Sequence, residues 1–240
     1  MPIKAVLFDM FDTLVIIEKN HAFYSPSLKR AHRFLVTNGV DVRFNIFRDA
    51  YIKARDALYA EADAKLEEPH FNCRISNALE SLGYLDVKHE VIAGTTNEFC
   101  EEFMKYVRID KHTKSALEKL HGKYKLGIVS NFAIPECVDK LLTKHGLEAF
   151  FDVVVVSGAV NKRKPSPEIF ERALEKLGVN AEDTVFVGDT VDADVIGAKA
   201  AGMKSVFIER RVQEDAEQAY PNQTIKSLSE LSEAIKNCQS

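Results

Sequence analysis

From about Tyr124 onward the chain alternates short apolar runs with helical stretches, a rhythm that admits few folds. Residues 126–129 are strand-like, and 135–144 read as a helix beginning just inside a proline. Val153–Val156 is a continuous β-branched run, the mark of a strand buried on both faces. Pro167–Leu177 is helical and closes at Gly178. Residues 184–187, 192–201 with Gly202 behind them, and Lys204–Ile208 continue the pattern, and a last short helix is expected over 228–236. Repeated βα units of this kind predict an α/β fold, a Rossmann-like parallel sheet with helices on both faces.

The N-terminus supplies one more strand. The apolar run from Ile3 to Phe8 ends abruptly in Asp9, with Phe11 and Thr13 just beyond. In open α/β folds a carboxylate at a strand's carboxyl end stands where ligands collect, and it serves there as nucleophile or metal ligand. Phe11 cannot donate a proton, which limits the chemistry. Between Thr13 and about Val107 the rhythm breaks. That stretch offers no strand but helical periodicity over 26–37, 44–65, 74–82 and 87–106, jointed at Gly39, Pro69 and Gly83. A βα crossover does not need roughly ninety residues. The expected organisation is a core of residues 1–16 and 108–240, split by an α-helical cap over 17–107 that sits above the catalytic edge.

Length and composition fit this plan. The chain has 240 residues, is 46% hydrophobic and 28% charged, and carries a net charge of −4. Such a charge provides no field for a polyanion, which argues against a nucleic-acid partner. No apolar run approaches a membrane span, and the N-terminus lacks a signal-peptide layout. Cys73, Cys100, Cys137 and Cys238 are scattered, as expected of reduced, mostly buried thiols in a cytoplasmic protein rather than of disulfides or a zinc site.

Four strand-end features converge if the sheet is parallel: Asp9, the pair Ser130-Asn131, Lys164 in the loop before a helix, and Gly188-Asp189 with Asp194 beyond. Each has a structural reading when taken alone. An Asp after a strand is commonly a turn former or helix cap, Ser-Asn a turn, Lys164 a solvated charge. Together they describe a site. Asp9, Asp189 and Asp194 would crowd three carboxylates at one edge, and buried carboxylates without counter-charge are costly. A divalent cation together with Lys164 removes that cost, and oxygen-only ligands favour Mg²⁺ over zinc.

In these motifs the chain resembles the haloacid dehalogenase-like (HAD) hydrolases, in the subfamily with a helical cap inserted after the first motif. The matching residues are Phe8-Asp9-Met10-Phe11-Asp12-Thr13-Leu14, Val129-Ser130-Asn131, the run from Lys164 to Phe170, and Gly188-Asp189 followed by Asp194 and Gly197-Ala198. The resemblance implies that Asp9 is a nucleophile forming a covalent aspartyl intermediate. It implies Mg²⁺ held by Asp9, the Phe11 backbone carbonyl, Asp189 and Asp194. Ser130 and the Asn131 amide would bind the transferring phosphoryl group, and Lys164 would stabilise charge on it. The implied partner is a small, phosphorylated substrate, and substrate choice would fall to the cap.

One departure stands out. Phosphatases of the family carry an Asp two residues after the nucleophile, as acid and base, where this chain has Phe11. Asp12 is not read as its substitute, because adjacent residues at a strand end point opposite ways. Relatives that hydrolyse 2-haloacids also lack the acid, but they work without Mg²⁺ and usually carry Ser at the position of Asp189. Phosphonate-cleaving relatives keep Mg²⁺ and recruit a cap lysine, a role the sequence does not assign to Lys19, Lys29, Lys53 or Lys65. Three readings therefore stand: a Mg²⁺-dependent phosphatase, a metal-independent 2-haloacid dehalogenase, and a catalytically weak phospho-ligand or partner-binding relative. His70, Asn72 and Arg74 follow Pro69 at a cap joint; His70 could reach a leaving group, but the expected reading is a surface histidine with no catalytic role.

Overall fold

The computed structural model describes residues 2–18, 22–210 and 220–239. Strand β1 (Ala5–Phe8) is wholly buried, and a turn leads from it to β2 (Val15–Ile17). Four long helices follow: α1 (Tyr24–Thr37), α2 (Phe44–Ala62), α3 (Phe71–Ser81) and α4 (His89–Phe103). Then come β3 (Val107–Ile109), α5 (Thr113–Leu120), β4 (Lys125–Ser130), α6 (Pro135–His145) and β5 (Val153–Val156). The chain continues through α7 (Ser157–Val160), α8 (Pro167–Leu177), β6 (Thr184–Gly188), α9 (Gly197–Ala200) and β7 (Lys204–Ile208). It closes with β8 (Gln223–Ile225) and α10 (Leu231–Asn237).

Six strands form one parallel sheet in the order β5-β4-β1-β6-β7-β8. The period-two alternation of side chains divides its core between the two faces. Val6 and Phe8 lie in one apolar cluster with Leu126, Val185, Leu117 of α5 and Val138 of α6. Ala5 and Leu7 lie in the other, with Phe186 and with Ile169 and Phe170 of α8. This is the α/β architecture expected from the βα rhythm, with β1 at the centre and its carboxyl end between those of β4 and β6.

The stretch after Thr13 corrects one expectation. It does contain a strand: β2 pairs antiparallel with β3 in a ribbon separate from the main sheet. Three residues are too few to establish an alternating pattern, so the ribbon leaves no periodic signal. Helix α3 begins at Phe71 rather than 74, because the His70 imidazole caps it, Nδ1 accepting from the Asn72 amide at 3.1 Å. The helix expected over 192–201 is a π-helical turn, Val191–Ile196, followed by the short α9.

The inserted helices pack α1 on α4 and α2 on α3. Their inward residues, among them Leu28, Phe47, Ile75 and Phe99, belong to the same apolar cluster as one face of the main sheet. Backbone bonds join the two parts: the Phe71 amide donates to Ala133 O at 2.9 Å, and the Arg163 amide to Leu66 O at 2.8 Å. Both crossings between them meet Arg210. Its Nε and Nη2 each donate at 2.9 Å, to Asp12 O and Thr13 O, and its Nη1 lies 3.1 Å from the Asp110 carboxylate. Among the described residues no helix is long and apolar enough to cross a membrane.

Candidate active site

Asp9 is the first residue beyond the central strand, and its amide donates to Val187 O on β6 at 2.8 Å. That bond continues the sheet and leaves the Asp9 side chain buried at the carboxyl edge. Register places Phe8 opposite Ile128 on one side and Val187 on the other. The chain ends that carry Ser130 and Asp189 therefore flank Asp9.

Three carboxylates meet there. One oxygen from each of Asp9, Asp189 and Asp194 lies within 4.8 Å of the others, and all three residues are buried. Lys164, itself only 3% exposed, reaches into the cluster. Its Nζ lies 2.6 Å from Asp9 Oδ1 and 2.8 Å from Asp194 Oδ1. Burial pushes the Asp9 carboxyl up to about 6, Lys164 opposing the rise and Asp194 adding to it. Burial works against the Lys164 charge, but Asp194 and Asp9 outweigh it and hold the ammonium above its usual range. Lys164 thus offers its ammonium to Asp9 and Asp194, and the three carboxylate oxygens stand close enough to share a cation. The donors are all oxygen, as a hard divalent ion requires.

Two backbone devices position these groups. The Asn131 side chain grips the backbone of Lys164 from both sides, donating to Lys164 O at 2.9 Å and accepting from Lys164 N at 2.8 Å. Its carboxamide thus orients the lysine loop. The second device is the turn after β6, where the Thr190 amide donates to Asp194 Oδ2 at 2.9 Å. Close approach there needs Gly188, since a β-carbon at that position would lie 2.3 Å from Asp194 Oδ2. Ser130 stands at the end of β4, fully buried, and its hydroxyl has no hydrogen-bond partner among the described residues. A buried hydroxyl in that state suits a ligand oxygen.

Phe11 lies beyond Asp9 with its ring 4.6 Å from Phe132 and 5.8 Å from Phe103. Phe103 in turn stacks on Phe132 at 5.3 Å. The position at which a proton donor would be expected is part of an aromatic wall. Asp12 adopts φ 56° and turns its Oδ1 to the Ile17 amide at 3.1 Å, so it closes the turn leading to β2. His70, besides capping α3, places Nε2 3.2 Å from Glu136. Lys29, Lys53 and Lys65 are exposed, and Lys19 lies outside the described residues.

The sequence model of the haloacid dehalogenase-like hydrolases matches residues 38–208. The chain belongs to this family. It is 30% identical, across 98% of both chains, to a glyceraldehyde 3-phosphate phosphatase of Methanocaldococcus jannaschii. In fold it is similar to a 2-haloacid dehalogenase from Pseudomonas syringae, with a TM-score of 0.72 over 98% of each chain at 22% identity. It is also similar to a HAD phosphatase from Thermococcus onnurineus, with a TM-score of 0.62 over 98% of this chain and 99% of that one at 27% identity. This HAD-like protein is accordingly a hydrolase with a parallel six-stranded sheet.

A group of residues beyond those named from the sequence also lines the site. A cavity of about 150 Å³ lies between the inserted helices and the stretch Asn131–Ile134, and Tyr59, Glu68, Phe71, Arg74 and Phe99 line it. Arg74 and Glu68 are buried. Arg74 Nη2 donates to Tyr59 Oη at 2.5 Å and to Glu68 Oε1 at 3.3 Å, while the Tyr59 hydroxyl donates to Glu68 Oε1 at 2.8 Å. Burial pushes the Tyr59 hydroxyl up to about 12, which keeps it a donor. Arg74 was visible as a residue near a joint, but Tyr59 lies fifteen positions earlier and carried no signal of its own.

Proposed function

We propose that this hydrolase is a Mg²⁺-dependent phosphatase of a small phosphorylated metabolite, with Asp9 as nucleophile. What carries this reading is the convergence of one buried carboxylate oxygen from each of Asp9, Asp189 and Asp194 within 4.8 Å of the others, an all-oxygen donor set of the kind a hard divalent ion takes. Full-length similarity to a glyceraldehyde 3-phosphate phosphatase supports it. Helices α1–α4, within residues 17–107, act as a cap over a core of residues 1–16 and 108–240. The protein's place is the cytoplasm, in keeping with its free thiols.

In this mechanism an Asp9 carboxylate oxygen attacks phosphorus, the ester P–O bond breaks, and an aspartyl phosphate forms. Lys164 holds the attacking carboxylate and balances charge on the phosphoryl oxygens. Ser130 donates its hydroxyl to one of those oxygens, and Asn131 keeps the lysine loop in place. Mg²⁺ held by Asp9, Asp189, Asp194 and the Phe11 carbonyl would neutralise the negative charge shared by carboxylates and phosphoryl group. Water then attacks the acyl phosphate, releasing inorganic phosphate and restoring Asp9. With Phe11 at the usual acid position, the leaving oxygen departs without a proton from that residue.

Phe11 and its aromatic neighbours favour a second reading, a 2-haloacid dehalogenase in which Asp9 attacks carbon and displaces halide. A screen of phosphate esters and 2-haloacids, with and without Mg²⁺, separates the two. Phosphate release that requires Mg²⁺ is the expected result. Halide release indifferent to chelator would establish the dehalogenase instead.

A further inference from the structure

We infer that Tyr59, Glu68 and Arg74 form the subsite for the leaving group, and that they select a short, polar, uncharged one: the phosphate ester of a three-carbon polyol or hydroxyaldehyde. The inference rests on the phosphatase reading above and adds its substrate class. Asn131 and Phe132, which floor the cavity, directly follow Ser130. Asn131 also bonds the Lys164 backbone on both sides, and Lys164 reaches Asp9, so one residue joins the cavity to the nucleophile's partner.

Size sets the first limit. A cavity of about 150 Å³ is what a benzene-sized molecule of about six heavy atoms fills. A glycerol or glyceraldehyde moiety has that many. Charge sets the second limit. The Arg74 guanidinium lies over the Tyr59 ring at 4.9 Å and the Phe71 ring at 5.2 Å, and its charge is matched by Glu68 in the same buried group. A substrate carboxylate would compete with Glu68 for the guanidinium and meet the Glu68 charge at low dielectric. A hydroxyl meets neither obstacle. It accepts from the guanidinium and donates to a carboxylate oxygen, and both internal bonds to Glu68 fall on Oε1 rather than Oε2. Phe71 and Phe99, their rings 4.6 Å apart, supply apolar surface for the carbon chain.

The test compares kcat/KM for glycerol 3-phosphate and 3-phosphoglycerate, which have equal carbon counts and differ by one carboxylate, in Mg²⁺ with acetyl phosphate as reference substrate. Wild type should favour the glycerol ester by about tenfold or more, the factor that about 1.4 kcal/mol of discrimination gives. Glu68→Gln leaves the Arg74 charge uncompensated, and the ratio should move at least about tenfold toward 3-phosphoglycerate. Tyr59→Phe should raise KM for the glycerol ester. Because the readout is a ratio within one preparation, partial loss of folded enzyme cancels. Preference of wild type for 3-phosphoglycerate, or a ratio that Glu68→Gln leaves in place, overturns the inference while acetyl phosphate turnover upholds the phosphatase. Absence of Mg²⁺-dependent turnover of every ester, acetyl phosphate included, removes the phosphatase reading and this inference with it.

Discussion

A β-carbon on Gly188 would sit 2.3 Å from Oδ2 of Asp194 and 2.6 Å from its Cβ. The absence of a side chain at the end of β6 therefore lets Asp194 stand where it meets Lys164 at 2.8 Å and the Thr190 amide at 2.9 Å.

Gly188→Ala should displace Asp194 and cost about 1–3 kcal/mol of stability, the usual penalty for overpacking. It should also abolish most of any rise in melting temperature that millimolar Mg²⁺ gives the wild type. Differential scanning fluorimetry with and without metal measures both. An Ala variant that keeps the full Mg²⁺ response would mean that Asp194 takes no part in holding the ion.

Asp9 makes the metal response depend on pH. Below about pH 4 its carboxyl is protonated in folded and unfolded chains alike, and its contribution to stability is fully present. With the folded value near 6 against 3.8 unfolded, that contribution is lost as pH rises through about 6 in metal-free protein. Mg²⁺ offsets the loss by favouring the carboxylate, so its stabilising effect should grow between pH 5 and pH 8, values chosen about one to two units either side of the transition. A metal response flat across that range would contradict the assignment of Asp9 as a ligand.

Lys164→Met strips the counter-charge from two buried carboxylates. In the absence of metal it should destabilise the fold by about 3–5 kcal/mol, as breaking buried ion pairs does. Added Mg²⁺ should restore part of that loss without restoring turnover. Chemical denaturation paired with a phosphate-release assay distinguishes the two effects.

Phe11→Asp places a carboxyl where the family's phosphatases hold their acid. Turnover of an alkyl phosphate should rise, up to the roughly 10²–10⁴ that general acid catalysis contributes, and rise more than turnover of an aryl phosphate. Lost contacts with Phe132 and Phe103 should lower stability by about 2 kcal/mol. If wild type already hydrolyses alkyl phosphates as fast as the Asp variant, another residue supplies the proton.

The strand ends were legible because a buried parallel strand needs a continuous apolar run, and whatever breaks that run stands at the sheet's edge. Asp9, Ser130, Asp189 and the lysine loop could be placed together on that ground alone. The β2–β3 ribbon was not legible, since three-residue strands carry no period, and neither was the π-helical turn before α9, whose extra residue per turn mimics an ordinary helix start. Gly188 could be noted as a turn residue, but its contact with Asp194 depends on how the next turn coils back. The Tyr59–Glu68–Arg74 group arises where α2 meets α3, and a helical period reports which face is apolar without reporting what the opposite helix brings to it.

Arg210 gives the molecule a fixed waist. One guanidinium grips the outgoing chain at Asp12 and Thr13 and the returning chain at Asp110, while the Thr113 hydroxyl and the Asp110 amide both donate to Leu14 O, at 2.7 and 3.0 Å. The two crossings are thus clamped to each other on the sheet side of the ribbon. A pull on either crossing is therefore shared by both at the base of the ribbon, three residues along the chain from the nucleophile.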